Sequence, residues 1–100
     1  MSGPYPLDAS VVAAAGRQLS TNLAGEVVIL GLEDGFYYGL EAIGARIWEL
    51  LQTPQRVSDL VDRIVSDYDV TPATAEADLQ ALLEDLAVRR LIDIDVPNHL

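Results

Sequence analysis

The spacing of apolar residues changes in the middle of the chain. Residues 26–32 form a nearly continuous apolar run rich in β-branched side chains, which is typical of a strand covered on both faces. Asp34-Gly35 follows and predicts a two-residue type I′ hairpin turn, and the aromatic residues 36–40 predict the returning strand. Residues 17–21 predict a shorter strand before this hairpin. The first part of the chain therefore predicts three antiparallel strands.

Helical periodicity replaces this pattern in the second half. Apolar side chains recur at i, i+4, i+7 and i+8 in residues 41–52, and helical spacing continues in residues 57–68 and 72–90. Ser58 is the predicted N-cap of the second helix, while Thr71-Pro72 predicts the N-cap and first residue of the third. Strands followed by helices predict an α+β domain whose helices cover one face of the sheet.

The chain is long enough for one domain. Residues 1–10 contain a glycine and two prolines without periodicity, and they predict a flexible N-terminal arm. The domain itself is expected over residues 11–95, where residues 91–94 supply a short closing extended segment. Residues 96–100 are expected to form a C-terminal tail.

Charge restricts the class of partner. Sixteen acidic and six basic residues give a formal net charge of -10, so a nucleic-acid backbone would repel the chain. No apolar run approaches the roughly 18 residues that span a bilayer, and the first residues lack the features of a signal peptide. We therefore expect a cytoplasmic protein that contacts neither nucleic acid nor membrane.

Few side chains suited to catalysis are present. There is no cysteine and no lysine, which excludes thiolate metal sites, cysteine nucleophiles and Schiff bases. His99 is the only histidine, and it lies in the predicted tail. Acidic pairs such as Asp59 and Asp62 fit a solvated helix face better than a metal site. We expect a protein that is not an enzyme and needs no metal or cofactor.

The last predicted strand offers a binding surface. If the strands pair in sequence order, residues 36–40 form a sheet edge without lysine, proline or charge, and natural proteins usually protect such edges. An open edge favours pairing with another chain, although the first strand or a neighbouring subunit could also cover it. With a two-residue turn, Glu33 and Phe36 close the hairpin, and Tyr37 and Gly39 direct their backbone groups outward.

The hairpin and the first helix resemble a known family. The segments Gly35-Phe36-Tyr37-Tyr38-Gly39-Leu40 and Ile47-Trp48-Glu49-Leu50-Leu51, with the leucine-rich third helix, are similar to the PqqD-like precursor-peptide recognition elements of ribosomal-peptide biosynthesis. They resemble especially the stand-alone leader-binding proteins of lasso-peptide clusters. The resemblance covers residues 17–94, and it departs at Glu41, where many relatives have asparagine.

This resemblance implies a winged-helix-like fold of three antiparallel strands and three helices. It also implies that a precursor's leader peptide adds as a strand to the third strand and lies in the groove beside the third helix. The protein would then present the precursor to a leader peptidase, a transglutaminase-like protease, before a cyclase acts on the core peptide. The expected peptide-binding residues are Phe36, Tyr37, Tyr38, Gly39, Leu40, Asp78, Leu82 and Asp85.

Two questions remain open at this stage. Asp78 and Asp85 share one flank of the third helix and could pair with basic leader residues, but the flank with Glu76 and Leu83 could equally meet the groove. Alternative functions are an acidic winged helix-turn-helix regulator, which would need a basic recognition helix, and a structural homodimer joined edge to edge through residues 36–40.

Overall fold

The computed structural model describes residues 4–97 and contains three helices and two antiparallel sheets, each of three strands. The elements are β1 (Ser10–Ala13), β2 (Gln18–Leu23), β3 (Glu26–Gly31), β4 (Tyr37–Leu40), α1 (Ala42–Leu50), β5 (Gln55–Arg56), α2 (Val57–Asp67), α3 (Pro72–Val88) and β6 (Ile92–Asp95). The predicted α+β fold, with a three-stranded sheet before three helices, is confirmed. No helix within the described range is long and apolar enough to cross a membrane.

The main sheet has the order β2-β3-β4. A two-residue turn joins β2 to β3, and its residues Ala24 and Gly25 have φ values of 54° and 86°. Positive φ at both central positions is the signature of a type I′ turn, whose twist matches that of the flanking strands. The Asn22 side chain supports this turn by accepting a hydrogen bond from the Gly25 N–H at 3.2 Å.

The turn between β3 and β4 differs from the prediction. Leu30 pairs with Tyr37, so Glu33 and Phe36 do not close the hairpin and the loop is longer than Asp34-Gly35. The Asp34 carboxylate accepts a hydrogen bond from the Phe36 N–H at 3.0 Å. This local bond competes with the two-residue turn that the dipeptide favours. Within the Asp34-Gly35 dipeptide only Gly35 has a positive φ, whereas a type I′ turn needs positive φ at both of its central residues.

The second sheet joins distant parts of the chain in the order β5-β1-β6. Within the expected N-terminal arm, the described residues 4–10 pack against the domain: Ala9 is fully buried, and the Tyr5 N–H and carbonyl both bond the Gln80 side chain. Residues 1–3 of that arm lie outside the described range, as do 98–100 of the expected tail, including His99.

Backbone and side-chain caps fix the helix starts. Helix α2 begins at Val57 with Arg56 as its N-cap, two residues earlier than a Ser58 N-cap requires, so that prediction is wrong. The Val57 and Ser58 N–H groups instead donate to the carbonyls of Ala9 and Leu7 at 2.9 Å, which replaces a side-chain cap. Helix α3 begins as predicted, because the Thr71 hydroxyl accepts a hydrogen bond from the Thr74 N–H at 3.2 Å.

The core lies between the main sheet and the helices. The inner face of β3 buries Val27 and Ile29, and α1 buries Ile47 and Trp48 against it. The Trp48 indole N–H also donates to the Ser20 hydroxyl at 3.0 Å, which ties α1 to β2. This packing leaves β4 at the side of the sheet, next to the start of α1.

Candidate functional site

Strand β4 presents an open edge. It pairs only with β3 among the described strands. The Gly31 N–H donates to the Phe36 carbonyl at 2.9 Å, and this bond sets the alternation of the ladder. The backbone groups of Tyr38 and Leu40 consequently face β3, while those of Tyr37 and Gly39 face outward. Tyr37 and Gly39 are also the residues that the sequence predicts to face outward. The longer loop changes which β3 residues lie opposite β4, but it does not change which β4 residues face outward.

The side chains of β4 divide between the two faces of the sheet. Leu40 is buried and Tyr38 half-buried on the face that meets the helices, while Tyr37 on the opposite face is 72% exposed. Phe36 lies just before the strand and is 68% exposed. The predicted grouping of Phe36 with Tyr38 and Leu40 therefore holds for Tyr38 and Leu40, which share the face that meets the helices, whereas Phe36 precedes the strand and is exposed.

Helix α3 faces β4 with the Asp78–Asp85 flank. The Tyr38 hydroxyl donates a hydrogen bond to the Asp85 carboxylate across the gap between strand and helix. The Arg89 guanidinium lies 4.7 Å from the centroid of the Tyr38 ring, and its Nε is 3.6 Å from an Asp85 oxygen. On the other flank, Leu83 is fully buried in the core. The structure therefore settles which flank borders the strand.

An apolar cavity lies beside this flank, where α1, α2 and α3 converge. Its volume is about 200 Å³, and its lining residues are Ile43, Gly44, Ile64, Val70, Ala75, Asp78, Leu79 and Leu82. Asp78 is the one charged residue of this lining. The cavity is suited to an apolar side chain, and a basic or hydroxyl group at its rim could reach the Asp78 carboxylate.

Gly44 lies in α1 and lines the cavity without a side chain. A Cβ at this position would come within 3.3 Å of the Leu40 Cδ2 atom, so the close neighbour is a strand side chain. The glycine inside α1 costs about 1 kcal/mol relative to alanine. It allows the helix to lie close to the last residue of β4, beside the cavity.

The environment of Tyr38 keeps its phenol protonated. Burial is the largest cause that raises its pKa to about 12, followed by the hydrogen bond to Asp85 and the negative charge of that carboxylate. The Arg89 charge acts in the opposite direction. At neutral pH, Tyr38 is therefore a hydrogen-bond donor, and Asp85 already has two partners. Of the two predicted acidic contacts, Asp78 lies at the cavity rim and Asp85 in the strand–helix contact.

Sequence reasoning missed six of the eight cavity-lining residues, since only Asp78 and Leu82 were expected at the site. Ile43 lies in the apolar stripe of residues 41–52, which predicts a core position, and Val70 lies between the helical patterns of residues 57–68 and 72–90. Neither position carries a local signal, because both become neighbours of α3 only through the packing of three helices. Residues 4–97 contain no group of three or more histidine, cysteine or acidic side chains able to hold a metal ion. The described site therefore offers backbone pairing and an apolar cavity.

Comparison with known proteins gives consistent matches. The family model for coenzyme PQQ synthesis protein D (PqqD) matches residues 26–92, which confirms the family expected from sequence. A solved structure described as TbiB1 in complex with the TbiA(beta) leader peptide is 36% identical. The match covers 87% of this chain and 99% of that one, with a TM-score of 0.77.

A second solved structure supports the fold alone. It is described as lasso peptide synthetase B1 complexed with the leader peptide and is 22% identical, with a TM-score of 0.73. The match covers 87% of this chain and 98% of that one. The search of curated proteins gives no match.

Proposed function

Because the chain belongs to the PqqD family, we propose that it binds the leader region of a ribosomally made precursor peptide of the lasso class. The observation that carries this proposal is the open, uncharged edge of β4 beside an apolar cavity. A 36% identical protein whose structure is described with a leader peptide supports it.

The leader adds to β4 as a further strand. It exchanges hydrogen bonds with Tyr37 and Gly39, whose backbone groups face outward. Backbone pairing supplies affinity with little selectivity, so the side chains of the peptide must be selected elsewhere. Alternate leader side chains point toward α3, where the cavity takes an apolar group next to Leu82.

The acidic residues at this site have different roles. Asp78 lies on the cavity rim and attracts a basic or hydroxyl-bearing leader residue. The Asp85 carboxylate accepts a hydrogen bond from the Tyr38 hydroxyl. This bond fixes the spacing between β4 and α3. Leader contacts to Asp85 would compete with this bond, so we assign Asp85 to positioning the groove.

The bound precursor is then delivered to maturation enzymes. We propose a leader peptidase of the transglutaminase-like class as the first partner and a cyclase as the second. In this series of steps the chain binds the leader through β4, and the peptidase cleaves it.

Two proline variants test strand addition. Tyr37→Pro removes an outward N–H and places a ring on the edge, whereas Tyr38→Pro removes an N–H that faces β3. One hydrogen bond contributes about 1 kcal/mol, so Tyr37→Pro should weaken leader binding about fivefold or more while the fold persists. Tyr38→Pro should instead lower the melting temperature.

The assay is fluorescence polarisation with a labelled leader from a short precursor gene beside this gene, with the TbiA(beta) leader as a second probe. Thermal unfolding is recorded for both variants. Wild-type affinity in a folded Tyr37→Pro variant would refute edge pairing at β4. Absence of binding to the neighbouring gene's leader by the wild-type protein would refute the proposed function.

A further inference from the structure

The main sheet is apolar on both faces, but the described helices pack on only one of them. Val28 and Leu30 of β3 point to the outer face, away from the helices, and are half-buried. Beside them, Leu19 of β2 and Tyr37 of β4 are exposed. An antiparallel sheet with one face in water usually carries polar side chains on that face. The apolar pattern of residues 26–32, typical of a strand covered on both faces, is therefore matched on one face only.

Gly39 leaves a gap in this outer face, at the β4 edge. It pairs with Val28, so a side chain at position 39 would lie next to Val28. Its φ is not positive, and a Cβ placed on it would have no neighbour within 4 Å among the described residues. Neither backbone conformation nor packing within the described range therefore requires glycine here. A glycine inside a strand weakens the sheet and often marks a place where a ligand or another backbone approaches closely.

Strand addition places half of the leader's side chains on this outer face. Successive side chains of a strand point to opposite faces of the sheet, and directly opposite residues share a face. Leader residues paired with Tyr37 and Gly39 therefore point away from the helices, while their neighbours point toward α3 and the cavity. This inference rests on the proposed function, because it requires the leader on β4.

We propose that the outer face of β4 is a second subsite for the leader, and that it takes a long apolar side chain. The side chain of the leader residue opposite Gly39 lies across the glycine, with Tyr37 beside it and Val28 at its end. The leader strand would lie about 10 Å from β3, which is two strand spacings, so only a side chain as long as leucine, methionine or an aromatic residue reaches Val28. Such a side chain also restores the packing that an edge glycine lacks.

The surroundings of Gly39 fit an apolar occupant. Its outer-face neighbours Val28 and Tyr37 are uncharged, and Leu30 lies opposite Tyr37. A shallow depression of about 160 Å³ continues this surface between Tyr37 and Leu19, and none of its lining residues is charged. A charged leader side chain would find no partner there, whereas an apolar one extends the same surface onto the bound leader.

The two subsites predict a leader segment that is apolar on both faces. One apolar side chain enters the cavity beside α3, and another crosses Gly39 on the outer face. Because these two side chains lie on opposite faces of one strand, their positions in the leader must be an odd number of residues apart. A leader read by the cavity alone would instead need apolar residues only at even spacing.

Tyr37→Thr tests the contact with the outer face. Threonine keeps the preference for a strand but removes the ring, so leader affinity should fall about two- to fivefold. Leu19→Thr is the matched control. Leu19 is 62% exposed on the same face, compared with 72% for Tyr37, but it lies on β2, two strands from β4. It should leave leader affinity unchanged.

Gly39→Val separates a binding role from a structural one. Valine has room in the free protein and favours a strand, so the melting temperature should rise. Leader affinity should nevertheless fall about two- to fivefold, because the branched side chain fills the path to Val28. Stability and affinity would then move in opposite directions, which a purely structural glycine does not explain.

An alanine scan of the leader tests the geometry. Labelled leaders from the neighbouring precursor gene, with alanine at each position in turn, are titrated by fluorescence polarisation against wild type, Tyr37→Thr and Leu82→Ala. The outer-face position is the apolar residue whose replacement weakens binding to wild type but not to Tyr37→Thr. The cavity position is identified in the same way with Leu82→Ala. The two positions should be an odd number of residues apart.

Three results would overturn this inference. These are wild-type affinity in both Tyr37→Thr and Gly39→Val, a lower melting temperature of Gly39→Val, and an even spacing between the two leader positions. In each case the wild-type protein still binds the leader, so the proposed function stands. A wild-type protein that binds no leader overturns both.

Discussion

The bond between Tyr38 and Asp85 connects β4 to α3, and Tyr38→Phe removes it while keeping the ring. The contact between the ring and the Arg89 guanidinium is also retained, since phenylalanine presents the same face. The variant therefore isolates the contribution of one hydroxyl group to the spacing between strand and helix. Tyr37→Phe is the matched control, because Tyr37 is 72% exposed on the other face of the sheet.

The contribution of the Tyr38–Asp85 hydrogen bond to the unfolding free energy depends on how exposed the two side chains are. A hydrogen bond to a charged group typically contributes about 1.5–3 kcal/mol. The Asp85 side chain is 48% exposed, so solvent screens the interaction and its contribution should fall to about 1 kcal/mol. For a domain of this size, a loss of about 1 kcal/mol lowers the melting temperature by roughly 4–8 °C. Tyr37→Phe should leave it nearly unchanged.

The effect should disappear at high pH. The Tyr38 pKa is raised from 10.0 to about 12 in the folded protein, so the folded state favours the neutral phenol. The stabilisation is complete below pH 10 and is lost as the pH rises from 10 to about 12. All six basic residues are arginines and there is no lysine, so no lysine side chain titrates in this window.

Urea unfolding, followed by Trp48 fluorescence at a series of pH values, measures this effect. The difference in unfolding free energy between wild type and Tyr38→Phe should be about 1 kcal/mol at pH 8 and should fall to zero or below as the pH approaches 12. A difference that is already zero at pH 8, or one that stays constant to pH 12, would refute the assigned hydrogen bond.

Two further substitutions test the fold. Ala24→Asn should raise the unfolding free energy by about 0.5 kcal/mol, since asparagine tolerates positive φ and favours type I′ turns; an unchanged or lower melting temperature would contradict that turn type. Gln80→Ala should lower the unfolding free energy by about 2 kcal/mol, because it removes both hydrogen bonds to the Tyr5 backbone. Hydrogen exchange at the Tyr5 amide should accelerate in this variant. An equally protected amide would show that Gln80 does not hold this segment.

The parts of the fold that sequence predicts are those with a local cause. Helix α3 is predictable because Thr71 caps it, Pro72 starts it and its apolar residues recur at helical spacing. The hairpin strands are predictable because β-branched and aromatic residues fit a pleated, half-buried surface. The family resemblance contributed the strand–helix groove, which periodicity alone does not give.

The failures have a common physical origin in contacts that a local pattern does not contain. The turn after β3 depends on the hydrogen bond that the Asp34 carboxylate accepts from the Phe36 N–H. The start of α2 depends on carbonyls from residues 7 and 9, which come from a segment without periodicity. The contact between Tyr38 and Asp85 depends on how α3 packs beside the sheet, so sequence placed both residues near the groove but not against each other.

The pairing of β1 with β6 also determines when the domain can complete its folding during protein synthesis. Ser10 pairs with Asp95, and the intervening chain contains every other element from β2 to α3. Hairpins β2-β3 and β3-β4 close short loops and can form as soon as they are made, whereas the pairing of β1 with β6 must wait until all the elements between them have been synthesised. Until then β1 can pair only with β5 among the described strands, through Ser10 and Val11, and it lacks the longer ladder that β6 supplies. A nascent chain stalled before residue 92 should therefore display a formed β4 edge on a domain that is not yet stable.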